Sequence, residues 1–253
     1  VGDAFTPTHK NRYVAFDIDQ GGLNNIRMVF EYAVVIAAIT RRTLVLPPAR
    51  PWYLINQAMM GKAEGTTDLG DVCELSAIVK AIPYITTKEF CQRAAHHLRI
   101  PNQFLNQEHG IFEGDTHLQD WRRWLLQNSE AIDWNSYESL LCHPSIKRAS
   151  NGPHMSDQYV DNRQLKELTP RQLASPIIYL PSDNNYRSLG PVATMLAAEN
   201  EHLPRLCRRL LKHHVHYRNE VFSWAEKICH WHQIDNFNAI HIRRNDFQYK
   251  QTR

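Results

Sequence analysis

The sequence predicts an α/β protein built on a Rossmann-like parallel sheet flanked by helices. Two observations carry this. First, Tyr13–Ile18 is a short apolar run, Asp19-Gln20-Gly21-Gly22 is a turn, an apolar helical stretch runs to about Arg41, and Thr43–Leu46 is a second apolar run stopped by Pro47-Pro48. Strand, glycine turn, helix and strand within that span make a βαβ unit, which sets the two strands parallel with a right-handed crossover. Second, further short apolar runs at Ile82–Thr86, Ile177–Leu180 and Phe237–Ile242 alternate with helical patterns, the order expected of a sheet with helices on its faces.

Each element follows from local chemistry. The helix of the first unit is apolar on nearly every side from Ile26 to Ile39, so it packs on several sides rather than along one stripe. Its start is expected at Asn24 or Asn25, both good N-cap types. The most apolar stretch, Val29–Ile39, is broken by Glu31 and flanked by Arg27 and Arg41-Arg42, which marks a buried helix rather than a bilayer span. Pro83 places the third strand at a sheet edge. Thr86 or Thr87 then caps a helix whose first turn carries Glu89. Leu118, Trp121, Trp124 and Leu125 recur at helical spacing within Asp115–Gln127, and Ala149–Asn162 reads as an exposed loop. Pro204 to His232 is helical with a break near His213–Arg218. Val221, Phe222, Trp224, Ala225, Ile228 and Cys229 form a stripe in its second half that is expected to pack on the sheet.

Composition excludes several classes. The chain has 253 residues, 43% of them hydrophobic, enough for a real core. Its net charge of +3 comes from 29 basic and 26 acidic residues, too balanced for a concentrated nucleic-acid face. Five scattered cysteines with no CxxC pair define no disulfide framework, although they leave room for one or two bridges. No Asn-x-Ser/Thr acceptor occurs, a mild argument against a glycosylated lumenal protein. His213-His214-Val215-His216 and His230-Trp231-His232 lack carboxylate or cysteine partners at metal-ligand spacing, so no metal site is expected. The tryptophans at 121, 124, 134, 224 and 231 are expected in the core or at an interface.

Two segments carry candidate chemistry. Gly21 and Gly22, between a strand and a helix, let a ligand approach the backbone, and the helix N-terminus beyond them offers free N–H groups to a phosphate. The plainer reading is a tight turn that needs positive φ. The second segment is His241-Ile242-Arg243-Arg244-Asn245-Asp246-Phe247, where a strand runs into a cluster of charge. Adjacent arginines at a strand end make a fixed cationic pocket for a diphosphate. Strand alternation puts His241 and Arg243 on one face, and Asp246 is placed to orient an arginine or to accept from a ligand hydroxyl.

These stretches together resemble the GDP-fucose protein O-fucosyltransferase family. The likeness rests on Tyr13–Pro48 with its Asp-x-x-x-Gly-Gly-x-x-Asn pattern, on Ile82–Phe90, on His216-Tyr217-Arg218, and on the His-x-Arg-Arg-x-Asp-Phe of His241–Phe247. It does not cover Gln92–Pro176. The resemblance implies a GT-B architecture, with residues 1–200 as the N-terminal Rossmann-like lobe and 201–253 as linking helices and the first strand of an incomplete second lobe. It implies inverting, metal-independent transfer of fucose from GDP-fucose to a Ser or Thr hydroxyl of a protein acceptor, with no cofactor.

By the same resemblance Arg243 binds the donor diphosphate and stabilises departing GDP. Gly21, Gly22, Asn24, Asn25, His241, Arg244 and Asp246 line the donor. Some family members carry a glutamate base in the glycine segment. Here Asp19 or Asp17 takes that place, since Gln20 cannot act as a base. The alternatives are a catalytically inactive, fucosyltransferase-like subunit of a larger protein assembly, or a nucleotide-binding regulator. A family-typical enzyme belongs in the secretory-pathway lumen; a structural subunit belongs in an organellar or cytoplasmic complex.

Overall fold

The computed structural model describes residues 11–19, 21–52, 67–105, 115–131, 163–164, 171, 174–182, 196–197 and 202–234. The chain divides into two compact units, Val1–His216 and Tyr217–Arg253.

The first unit is organised around five parallel strands: β1 (Tyr13–Phe16), β2 (Thr43–Leu46), β3 (Tyr84–Thr86), β4 (Glu130–Ala131) and β6 (Ile177–Leu180). Their order across the sheet is β3-β2-β1-β6-β4. Two further short strands, β5 (Arg163–Gln164) and β7 (Leu196–Ala197), pair with each other in parallel. The expected α/β, Rossmann-like sheet is therefore present, with β3 at an edge as Pro83 indicated. The chain builds outward from β1 through β2 to β3. It then crosses to the far side, where β6 is inserted between β1 and β4. The direction of winding reverses at β1, and a crevice opens outside the carboxyl ends of strands at such a reversal.

Strand alternation divides the core into two layers. Val14, Phe16, Leu44, Leu46, Ile178 and Leu180 face one side, where they meet α1 (Leu23–Thr40) and α5 (His202–His214). Tyr13, Ala15, Val45, Ile85, Ile177 and Tyr179 face the other, where Phe90, Cys91 and Ala94 of α3 (Thr87–Leu98) and Trp121, Trp124 and Leu125 of α4 (Asp115–Asn128) cover them. A short α2 (Leu75–Ile78) adds Ile78 to the first layer. Among the described residues, α1 alone would pass for a membrane span by length and composition, but it is buried from Val29 to Ala38 and serves as a core helix. Because α5 contributes Cys207, Leu210 and Leu211 to the layer that holds α1, it belongs to the first unit, which extends to His216.

Local signals explain the helix ends. Thr86 and Glu89 form a capping box at the start of α3: the Thr86 hydroxyl accepts from the Glu89 amide and the Glu89 carboxylate accepts from the Thr86 amide. The start of α1 differs from expectation. Gly22, not Asn24 or Asn25, is the N-cap, because the backbone is extended at Gly22 (φ −72°, ψ 173°) and helical from Leu23. Its ordinary φ also means that no left-handed backbone demands a glycine at this position. Asn24 lies in the first turn, where its Oδ1 accepts from Arg27 Nε at 3.2 Å and Nη2 at 3.1 Å. At the opposite edge of the sheet Arg42 is buried, and its Nη1 donates to the carbonyls of Ser175 (2.7 Å) and Pro176 (3.2 Å) ahead of β6. Burial, helped by Arg12, pulls its pKa down to about 10, so it stays charged at neutral pH.

Among the described residues the second unit holds α6 (Asn219–Trp231), separated from α5 by the expected break. The expected burial of its apolar stripe is corrected. No residue of α6 is buried, and Val221, Phe222, Trp224, Ile228 and Trp231 are exposed. No element of the second unit's described residues covers them. Trp224 and Trp231 thus depart from Trp121 and Trp124, which are core residues. Trp134, the Ala149–Asn162 loop and the Phe237–Ile242 strand lie outside the described residues. Cys73, Cys91, Cys207 and Cys229 are free thiols.

Candidate functional site

The C-terminal edge of the sheet at β1 carries a dense buried polar cluster. Asp17 follows the last residue of β1, and alternation continues it on the α3/α4 face. There its Oδ2 accepts from the Tyr179 hydroxyl at 2.7 Å and from the Ser182 amide at 3.1 Å. Arg122 of α4 places Nε 3.0 Å from the same oxygen. That contact is an ion pair rather than a well-aligned hydrogen bond. Arg122 Nη2 also donates to the Ser182 carbonyl at 2.9 Å, so α4 is tied to the end of β6 by charge as well as by its tryptophans.

Asp19 sits two residues on, 2% exposed. Its Oδ1 accepts from the Gly21 amide at 2.7 Å, closing the turn on itself, and its Oδ2 lies 3.4 Å from the Ser182 hydroxyl. Arg50 approaches from the segment beyond β2 and donates through Nη2 to the Ile18 carbonyl and, at 3.4 Å, to the Asp19 carbonyl. Burial lowers the Arg50 pKa and neighbouring Arg122 lowers it further, while Asp17, Asp19 and Tyr179 act in the opposite sense. Two carboxylates and two guanidiniums thus offset one another in a partly dehydrated setting, the arrangement in which charges can stay buried.

Beyond this cluster the turn opens into α1. No side chain caps its N-terminus, and its first turn carries no acidic residue. No acidic side chain within the helix therefore offsets its positive end; the Asp19 carboxylate lies on the turn just before it. Glu31, about two turns into the helix, is buried and pairs with Arg27 Nη1. Burial raises its pKa, and Arg27 partly opposes the rise.

The structure therefore brings Asp19, Gly21, Gly22, Asn24 and Asn25 together at the reversal point of the sheet. His241, Arg243, Arg244 and Asp246 lie outside the described residues, as does Gln20. Sequence reasoning missed Arg50, Arg122, Tyr179 and Ser182. Arg50 left a trace, a basic residue just after the Leu46-Pro47-Pro48 strand stop. Arg122 sits on a helix otherwise read for its apolar stripe and gave no comparable signal. Among the described residues no group of three His, Cys, Asp or Glu side chains forms a metal cluster. His214 instead sets its Nδ1 2.7 Å from the Ala77 carbonyl.

A parallel α/β sheet whose strand order reverses at a glycine turn and a helix N-terminus defines a protein of the kind that takes a ligand, often a nucleotide, at the carboxyl ends of its strands. The family model described as GDP-fucose protein O-fucosyltransferase matches residues 13–253, nearly the whole chain, and the chain belongs to that family. No curated protein and no solved structure gives a significant match.

Proposed function

We propose that the protein is a glycosyltransferase that moves fucose from GDP-fucose to a Ser or Thr hydroxyl of a protein acceptor, with inversion and without a metal. The family match carries this reading, and the placement of the Gly21–Asn25 turn at the sheet's reversal point supports it. In the proposed reaction the acceptor oxygen attacks the anomeric carbon of fucose. The bond from that carbon to the β-phosphate oxygen breaks and GDP leaves. Negative charge grows on the leaving diphosphate, and a guanidinium placed there stabilises the transition state more than the ground state. Arg243 is assigned that role, with Arg244, His241 and Asp246 around the nucleotide. Gly21, Gly22, Asn24 and Asn25 present backbone and the α1 N-terminus to the donor.

The acceptor proton needs a base. Asp17 is committed to Arg122, Tyr179 and Ser182. Asp19, the carboxylate on the turn itself, is the better assignment.

The test is GDP release and fucose incorporation in the presence of folded Ser/Thr-bearing acceptor domains. Arg243→Ala should slow turnover by about 100-fold or more, the usual loss when a transition-state charge contact is removed. Asp19→Asn should slow turnover and remove the acidic limb of the pH profile, the fall in rate that comes from protonating the base. Failure of the unaltered chain to bind or turn over GDP-fucose sinks the reading.

A further inference from the structure

We propose that Arg50 is a positioning residue for the donor turn: its guanidinium stands in for the missing end of strand β2 and fixes the backbone that aims Gly21 and Gly22. β1 and β2 pair in the register Tyr13↔Thr43, Val14↔Leu44 and Ala15↔Val45. Continued, that register sets Asp17 and Ile18 beside Pro47 and Pro48. In this ladder Thr43 N donates to the Arg12 carbonyl, so Pro47 falls where a donor to the Phe16 carbonyl is needed; it has no N–H, and the ladder ends one rung before Ile18. β2 ends at Leu46, so no rung of that strand reaches the Ile18 carbonyl, at the point where the chain must turn into the ligand crevice.

Arg50 supplies the donor instead. Its own backbone is held on both sides by Thr67, through Arg50 N to Thr67 O (3.2 Å) and Thr67 N to Arg50 O (2.9 Å), an isolated antiparallel bridge. From that anchor Nη2 reaches the carbonyls of both Ile18 and Asp19. The next links are the Asp19 carboxylate and the Gly21 amide it accepts at 2.7 Å. Both contacts come from Nη2, whose direction the planar guanidinium fixes, whereas a lysine ammonium is a flexible point charge. A chain of fixed contacts therefore runs from the β2 extension to the first glycine of the turn. Asp17, Asp19 and Arg122 are the charged groups facing Arg50. They balance the charge without replacing the carbonyl contacts.

The consequence for ligand binding rests on the donor reading given above; the consequence for the turn does not. The experiment therefore has two readouts on the full chain. Amide hydrogen exchange compares the unaltered protein with Arg50→Ala and Arg50→Lys. The Gly21 amide should lose at least about tenfold in protection in Arg50→Ala, with an intermediate loss in Arg50→Lys, while Tyr13–Phe16 keeps its protection. GDP titration follows. Affinity should fall at least about tenfold in Arg50→Ala, and methylguanidinium should restore part of it where sodium chloride at equal ionic strength does not.

Unchanged protection at Gly21 overturns the proposal, as does a loss spread evenly along β1, which would mark a merely structural arginine. If the unaltered chain binds no GDP, the donor reading falls, and the exchange data still decide the role of Arg50.

Discussion

Asp17 offers the sharpest test of how the sheet edge is held together. Replacing it with alanine removes the acceptor for the Tyr179 hydroxyl and the Ser182 amide, and it leaves the Arg122 guanidinium without its carboxylate in a site where both side chains are about one-tenth exposed. Breaking a buried pair by removing one partner costs about 3–5 kcal/mol, because the remaining charge is left uncompensated. The two neutral donors add to this, but their losses overlap with it and are not summed.

Typical domains unfold with only about 5–15 kcal/mol, so Asp17→Ala should be severely destabilised, and Asp17→Asn is the measurable companion. Asparagine keeps an acceptor for Tyr179 but loses the charge, and about 1.5–3 kcal/mol is expected, the scale of a charge-assisted hydrogen bond. Urea unfolding followed by tryptophan fluorescence reads the change directly, since Trp121 and Trp124 lie beside Arg122 on α4 and are buried. Adding Arg122→Met to Asp17→Ala should recover part of the loss, because no charge is then left alone. An Asp17→Ala chain within about 0.5 kcal/mol of the unaltered protein, the scale of an ordinary surface substitution, would refute the view that this network fastens β1, β6 and α4.

Two further outcomes follow from burial. Cys73, Cys91 and Cys207 are buried, and burial pushes each thiol up to about 12, so in the native protein at pH 8 they should resist an aromatic disulfide reagent, while partly exposed Cys229 reacts before these three. Rapid native labelling at Cys91, read by peptide mass mapping, would contradict the second core layer. Glu31 has its folded pKa raised above the ordinary 4.5 by burial, so the folded state holds its proton more tightly than the unfolded one. The stability it contributes is full below about 4.5 and is lost as pH rises through the folded value. Relative to Glu31→Gln, the unaltered chain should therefore lose melting temperature between pH 4.5 and neutrality. A gain over that range would mean that the Arg27 pair outweighs burial.

What could be read in the sequence was whatever is settled within a few residues. The glycine turn between β1 and α1, the proline stop after Leu46 and the Thr86/Glu89 capping box are local devices. The Trp121/Trp124 stripe needs only a helical period. What could not be read depends on distant pairings. The insertion of β6 between β1 and β4 sets Asp17 beside Tyr179 and Ser182, 162 and 165 residues away in the chain. No spacing rule announces it. The α1 cap was misplaced because backbone geometry at the turn, rather than a side-chain acceptor, decides where that helix begins. The α6 stripe has helical periodicity, but periodicity identifies an apolar face without saying what covers it. Within the candidate site, the glycine turn was legible for the same local reason, whereas Arg50 and Arg122 act only through contacts the folded sheet creates.

The proposed transfer depends on binding of a guanosine diphosphate sugar at the reversal point of the sheet. Calorimetric titration of the full chain with GDP, and with UDP as the control, tests it most directly. Saturable binding of GDP is expected with a Kd in the micromolar range, about −8 kcal/mol, weakened about 10- to 100-fold by Arg243→Ala and not matched by UDP. Absence of GDP binding to a folded chain, or equal binding in Arg243→Ala, would contradict it.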